Sequence, residues 1–92
     1  MKVTVRFSAQ ARAVAGAAEE SVDLPVAGTL RDLVILLADR HGEPLRGFLL
    51  GADGAPHASL LLIVGDEQAR LSDGRALRAG DVVSILTPIS GG

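Results

Sequence analysis

Apolar and polar residues alternate in two short segments near the start of the chain, residues 2–7 and residues 20–24. A period of two is typical of a strand with one buried face, and Pro25 ends the second segment. The two segments predict a hairpin with a long connection, and we interpret the Ala-rich residues 9–18 as a loop with a single helical turn. The residues predicted to face inward are Val3, Val5, Phe7, Val22 and Leu24.

The next segment has the spacing of an amphipathic helix that begins after Thr29 and ends before Gly42. Thr29 suits the N-cap position, and Asp32 stands where the second half of a capping box is expected. Gly42 suits the left-handed position that commonly follows a helix. The pattern therefore predicts the main helix of the domain. One stripe at helical spacing is formed by Leu30, Leu33, Val34, Leu37 and His41.

The second half of the chain is predicted to form three strands. Glycine and proline interrupt residues 43–58, which we interpret as a loop with a short extended piece at 48–50. The continuous apolar run 60–64 predicts a strand covered on much of both faces, and residues 68–71 and 82–87 predict two more strands. The order β, β, α, β, β, β indicates an α+β fold, a mixed sheet of about four to five strands with one main helix across one face.

The composition narrows the classes of function. The 92 residues suffice for one domain, and 48% of them are hydrophobic. The net charge of −2 and the presence of two aromatic residues, both Phe, argue against a nucleic-acid-binding surface. Without cysteine the sequence offers no disulfide, zinc–thiolate site or thiol nucleophile. No apolar run has the length of a signal peptide or membrane span, so we expect a cytoplasmic protein without a membrane partner.

Side chains suited to catalysis are few and scattered. His41 ends the predicted helix, where a cation interacts favourably with the helix dipole, and His57 lies in the predicted loop as a solvated residue. The neighbouring carboxylates Glu19–Glu20 and Asp66–Glu67 are interpreted as solvated charges in turns. Two separated histidines without cysteine make a poor metal site, so no metal is expected. The sequence therefore predicts a protein that is not an enzyme.

The last two residues are glycines, and they follow a predicted strand and Pro88 without a flexible spacer. Terminal glycines alone are typical of a frayed terminus. Here the strand and the proline are expected to hold the terminal carboxylate at a defined distance from a folded body. We therefore treat residues 89–92 as a candidate functional segment.

Three segments of the chain resemble the ThiS/MoaD family of β-grasp sulfur carriers. Residues 3–16 are similar to the opening of molybdopterin synthase small subunits, in which a strand leads into an Ala-Arg stretch closed by Gly. Residues 29–33 are similar to the start of the family's helix, and residues 77–92 to its ending of glycine-acid turn, strand, proline and Gly-Gly. Residues 64–67 depart from the Asn-Gly turn of many members, and the long 43–58 segment resembles the cysteine-biosynthesis carriers.

The resemblance implies a β-grasp domain, residues 1–88, followed by a flexible tail, residues 89–92. It also implies a mechanism in which a ubiquitin-activating-like enzyme uses ATP to adenylate Gly92. A sulfur donor protein then displaces AMP to leave a thiocarboxylate, and a synthase accepts the sulfur. On this expectation the chain is a non-catalytic carrier that binds no cofactor itself and contacts neither nucleic acid nor membrane.

The resemblance assigns the sulfur-carrying role to Gly92 and a tail-threading role to Ile89, Ser90 and Gly91. Because glycine lacks a Cβ, such a tail can pass through a narrow channel with backbone angles that other residues avoid. The pathway served is left open among molybdopterin, cysteine, thiamine, tRNA thiolation and natural products. Two alternatives share the fold: a ubiquitin-like modifier joined to lysines through Gly92, and a β-grasp interaction module with an idle tail.

Overall fold

The alternating segments pair into one mixed sheet in the computed structural model, which describes residues 1–57 and 60–86. The sheet has five strands in the order β2-β1-β5-β3-β4. β1 runs parallel to β5, and every other neighbouring pair is antiparallel. The predicted hairpin and the mixed sheet are therefore confirmed. The strands are β1 Lys2–Ser8, β2 Glu19–Asp23, β3 Leu61–Val64, β4 Glu67–Ala69 and β5 Val82–Leu86.

The main helix, α2, spans Leu30–His41 and begins with the predicted capping box. The Thr29 hydroxyl accepts a hydrogen bond from the Asp32 amide at 3.2 Å, and the Asp32 carboxylate accepts one from the Thr29 amide at 2.9 Å. Two amide groups that the helix cannot satisfy internally are thus paired. Gly42 follows with a φ of 67° and a ψ of −158°, so the chain leaves the helix with a positive φ but outside the left-handed helical region expected for it.

The first connection contains a longer helix than the single turn predicted. Residues Ala9–Ala15 form α1, and Gly16 ends it in the left-handed conformation with its amide donating to the Arg12 carbonyl. Alanine has the highest helix propensity, and Ala11 is fully buried against the core. The segment lacks a large apolar stripe, which is why the pattern underestimated its length.

The interpretation of residues 43–58 as a loop with an extended piece at 48–50 is wrong for its first third. A short helix, α3, spans Leu45–Leu49. Leu45 and Leu49 lie one helical turn apart and are both buried, and this packing outweighs the interruption by Gly47. Of the predicted extended piece, Leu50 alone is extended, and it bridges to Pro56.

The last three strands are present with shifted ends. β3 begins one residue later than predicted, and β4 is displaced towards the Gly65 turn. Leu71, expected in β4, begins a 3₁₀-helix at Leu71–Asp73. Gly65 has a φ of 62°, a left-handed conformation that suits glycine in the tight turn between the strands. Thr87, the predicted end of the last strand, lies outside the described residues.

One core lies between the sheet and the helices. Alternate residues of the strands point into it, and so does the apolar stripe of α2. All five residues predicted to face inward are buried, at 4% exposure or less. Among residues 1–57 and 60–86, no helix has the length and apolar character needed to cross a membrane. The largest side chains that are fully buried in this core are Leu30, Leu33, Leu37, Leu45, Leu49, Leu62 and Ile85.

Candidate functional site

The face of the sheet that points away from the core carries an apolar patch where polar residues are the norm. Successive strand residues point to opposite faces, so the neighbours of the buried residues in β3 and β5 lie on this open face. Four of these neighbours are aliphatic and half-buried, and we call them the open-face patch. Leu61 pairs directly with Leu86 in the sheet. The patch consists of Leu61, Ile63, Val82 and Leu86.

Polar and charged residues border the open-face patch. Gln68 borders the patch beside Ile63, in β4. Ser84 is polar but lies within the patch, between Val82 and Leu86 on β5 and beside Ile63. On the far side of β5, Arg6 and Glu19 of the β1–β2 hairpin form an exposed ion pair at 3.4 Å. An apolar centre with a polar border is the usual composition of a protein-protein contact surface.

The chain leaves the sheet beside this patch. β5 lies between β1 and β3, and its last residue, Leu86, is in register with Ser8 on one side and Leu61 on the other. Six residues follow Leu86, and fully extended they span at most about 20 Å. The segment predicted to carry the chemistry therefore begins next to the open-face patch.

The residues predicted to carry the chemistry lie outside the described residues. These are Ile89, Ser90, Gly91 and Gly92. Their roles stay predictions. The described part of the site consists of the strand that leads to them and the patch next to that strand.

The interpretation of Glu20 as a solvated turn charge is wrong. Its side chain is 18% exposed and accepts hydrogen bonds at the C-terminal end of α2, from the Arg40 guanidinium at 3.0 Å and from Nε2 of His41. Arg40 also donates to the Ser21 carbonyl. The sequence contained a signal for this, because Glu20 lies two residues before Val22 on the same strand and so points to the same, inward face. In the sheet Glu20 pairs with the buried residue Val5.

Both histidines have structural contacts. His41 is the last residue of α2, as predicted, and its ring meets the Phe7 ring edge-on with centroids 5.9 Å apart. His57, predicted to be solvated, is half-buried and donates from Nε2 to the Gly47 carbonyl at 3.1 Å. These contacts account for both side chains as parts of the fold. The open-face patch lies on the opposite side of the sheet from His41, whose ring contacts the core residue Phe7.

Replacing Glu20 by Ala is expected to lower the free energy of unfolding by about 1.5–3 kcal/mol, because two hydrogen bonds to a mostly buried charge are lost. Glu19 is the matched control, because it precedes Glu20 on the same strand but its carboxylate is 58% exposed. Glu19→Ala is expected to cost less than about 1 kcal/mol. Urea denaturation of both variants measures the difference, and equal losses would show that the contacts of Glu20 contribute no stability.

Comparison with known proteins gives consistent results. The sequence model of the ThiS family matches residues 5–92. The crystal structure of SAMP1 from Haloferax volcanii is similar, with 28% identity and a TM-score of 0.87 over 100% of both chains. A putative molybdopterin converting factor subunit 1 from Pyrococcus furiosus has 28% identity and a TM-score of 0.77, over 97% of this chain and 99% of that one.

A third structure shares the fold. It is a complex of subunits 1 and 2 of the molybdopterin-converting factor from Helicobacter pylori, with 24% identity and a TM-score of 0.63 over 100% of both chains. Among curated proteins, no significant match to the chain was found. The five-stranded sheet and the helices across it, together with these likenesses, confirm the expected β-grasp fold.

Proposed function

The chain belongs to the ThiS family, and from that premise we propose that it is a sulfur carrier that works through the carboxylate of Gly92. A ubiquitin-activating-like enzyme adenylates this carboxylate, and sulfur transfer then yields a thiocarboxylate. The sulfur passes to a synthase that makes molybdopterin, cysteine or another sulfur-containing metabolite. The observation that carries the proposal is the exit of the chain from the sheet at Leu86, beside the open-face patch.

The chemistry needs a partner because a carboxylate resists attack by a nucleophile. An α-carboxyl group is an anion at neutral pH. Attack of its oxygen on the α-phosphorus of ATP forms a mixed anhydride and releases pyrophosphate. Sulfide delivered by the sulfur donor then attacks the carbonyl carbon, the carbon–oxygen bond to AMP breaks with the electron pair leaving on AMP, and the thiocarboxylate remains. Dividing one difficult step into two easier ones is the general advantage of covalent activation.

The folded body supplies the affinity that the tail lacks. A tail that is ordered on binding loses conformational entropy, and contacts elsewhere must offset that loss. In this proposal the body, residues 1–88, docks through the open-face patch, while residues 89–92 enter the active-site channel of the partner. Gly91 and Gly92 add no side chain there, and Ile89 and Ser90 line the entrance. The chain itself is a carrier and not the catalyst.

The same docking arrangement serves both kinds of partner. The activating enzyme and the sulfur-accepting synthase each have to reach the one terminal carboxylate, so each has to cover the surface beside Leu86. The Helicobacter pylori converting factor is a complex of its two subunits. A synthase subunit that covers the open-face patch is the corresponding partner proposed for this chain, and a sulfur donor protein acts between the two.

A second function is favoured by one specific observation. Two similar structures, SAMP1 and a second determination of small archaeal modifier protein 1, both from Haloferax volcanii, have TM-scores of 0.87 and 0.84. As a modifier, this chain forms the same adenylate, but the carbonyl of Gly92 is transferred to an amine. The product is then an amide bond to another protein instead of a thiocarboxylate.

Co-expression with the activating enzyme encoded in the same genome distinguishes the two functions. A carrier is expected to gain mass equal to the difference between sulfur and oxygen, as measured on the intact chain. A modifier is expected to appear instead as a ladder of larger conjugates on a denaturing gel. If neither product forms while the enzyme is shown to be active on another substrate, both proposed functions are wrong.

A further inference from the structure

Lysine occurs once among the 92 residues, at position 2, whereas arginine supplies every other positive side chain. Lys2 begins β1 and is exposed on the open face of the sheet. Its backbone is fixed, because its carbonyl accepts a hydrogen bond from the Gly80 amide at 2.8 Å. Within residues 1–57 and 60–86, no ion pair involves the Lys2 ammonium group. The side-chain amine is therefore presented to solvent from a rigid strand.

The second primary amine of the chain, at Met1, is held in the fold. The Met1 amino group donates to the Asp23 carboxylate at 3.1 Å and to the Leu24 carbonyl at 2.7 Å. The Met1 side chain is 9% exposed. An amine that donates two hydrogen bonds has to lose those contacts before it can attack an incoming carbonyl.

We propose that Lys2 is the single acceptor through which one copy of this chain can be acylated by the C-terminus of another copy. The inference rests on the second function proposed above, in which the activated carbonyl of Gly92 is transferred to an amine. The Lys2 amine attacks the adenylated carbonyl of Gly92, the new carbon–nitrogen bond forms, and the bond to AMP breaks. AMP leaves with the electron pair, and the amine loses one proton to solvent. Each copy then accepts one linkage at Lys2 and donates one through Gly92, so the products are unbranched chains.

The topology favours linkage between copies over closure of one copy on itself. β1 and β5 run parallel, with Thr4 beside Val82 and Ser8 beside Leu86. Lys2 therefore lies at the end of the sheet where β5 begins, about 20 Å from the level of Leu86 at the usual rise per residue. The described strand β5 runs away from Lys2, and the six residues that follow it can span no more than about the same distance even if fully extended. To reach Lys2 of the same copy, the segment after Leu86 would have to turn back along the sheet. Six residues are too few both to make the turn and to cover the distance.

The structural premise is tested by limited acylation with N-hydroxysuccinimide acetate. In an unfolded peptide an α-amine is less basic than a lysine amine and is acylated faster near neutral pH. In the folded chain we expect the opposite order, so that the Lys2 amine is acetylated faster than the Met1 amine. In urea, where the chain is unfolded, we expect the Met1 amine to be acetylated faster. Peptide mapping measures both rates. Faster acetylation of Met1 in the folded chain overturns the proposal.

The linkage itself is tested with the activating enzyme from the same genome and Mg-ATP. Self-conjugates of the wild-type chain are digested with trypsin, which cleaves after Arg78 and Arg6 but not after a modified lysine. The expected product is residues 1–6 with residues 79–92 attached at Lys2. Lys2→Arg keeps the charge and is expected to abolish self-conjugates while adenylation, measured as ATP–pyrophosphate exchange, continues. The double variant Lys2→Arg/Arg31→Lys places an amine on the exposed start of α2 and is expected to restore them.

Each other outcome contradicts a defined part of the account. Self-conjugates in the Lys2→Arg variant at the wild-type yield would overturn the assignment of Lys2. Failure of the double variant to restore them would show that the loss does not reflect a missing amine, and it overturns the assignment too. Pyrophosphate exchange with the wild-type chain but without self-conjugates contradicts the linkage but leaves the proposed sulfur-carrier function standing. Absence of pyrophosphate exchange with every variant contradicts the proposed function itself.

Discussion

Replacing Ile63 by Asp is expected to weaken binding of the chain to its activating enzyme by roughly thirtyfold. Ile63 is the residue of the open-face patch that lies on β3 between Ser84 of β5 and Gln68 of β4. A residue at the centre of a protein interface commonly contributes about 2 kcal/mol or more, which equals that factor in the dissociation constant. A carboxylate at this position also has to lose water when the partner covers it.

The matched control for Ile63→Asp is Ser21→Asp. Ser21 is exposed on the same face of the sheet but lies on β2, in register with Thr4 and outside the open-face patch. The control adds the same charge, and we expect binding to change by no more than about twofold, as for ordinary surface substitutions. Titration calorimetry measures both variants after urea denaturation has shown that each is folded. Equal affinities for the two variants would show that the patch is not the docking surface.

Replacing Gly92 by Ala is expected to lower the rate of adenylation by about a hundredfold, the usual consequence of displacing a reacting group by an ångström. The added Cβ is attached to the carbon next to the reacting carboxylate. It limits the backbone angles of the residue and has to fit in a channel built around glycine. The stability of the fold should not change, since position 92 is six residues beyond the last described residue of β5.

Ser90→Ala is the control for the tail. Ser90 already carries a Cβ, so the substitution adds no bulk to the segment that enters the channel, and a rate near that of the wild-type chain is expected. Pyrophosphate exchange with the activating enzyme measures both rates, and thermal unfolding verifies that the core is intact. If Gly92→Ala is adenylated as fast as Ser90→Ala, the tail does not need a terminal residue without a side chain.

The parts of the fold that the sequence predicted are those in which local signals and burial agree. α2 has a capping box, an apolar stripe and a glycine after its last turn, and each of these is present in the structure. In α3 the local signal and the burial disagree. Gly47 disfavours a helix, whereas the burial of Leu45 and Leu49 stabilises one. Tertiary packing decided that conflict, and a single sequence contains no direct record of it.

The open-face patch was not visible in the sequence, and the role of the terminal glycines stays a prediction. The terminal glycines stood out as a motif, whereas the open-face patch needs the pairing of β3 with β5 to bring Leu61 beside Leu86. Those two residues are far apart in the sequence, and the register between their strands is a property of the folded sheet. For Glu20 the sequence indicated that the side chain points inward, because it alternates with Val22. It did not indicate the partner, Arg40 at the end of α2.

Trapping with hydroxylamine tests the central claim most directly, because it captures an activated carboxyl group whichever acceptor follows. The chain is incubated with its activating enzyme, Mg-ATP and hydroxylamine, and the product is fragmented in a mass spectrometer. We predict a hydroxamate on the α-carboxyl group of Gly92, dependent on both ATP and the enzyme. A hydroxamate on a side-chain carboxylate instead, or an unmodified chain beside an enzyme that activates other substrates, would contradict the account.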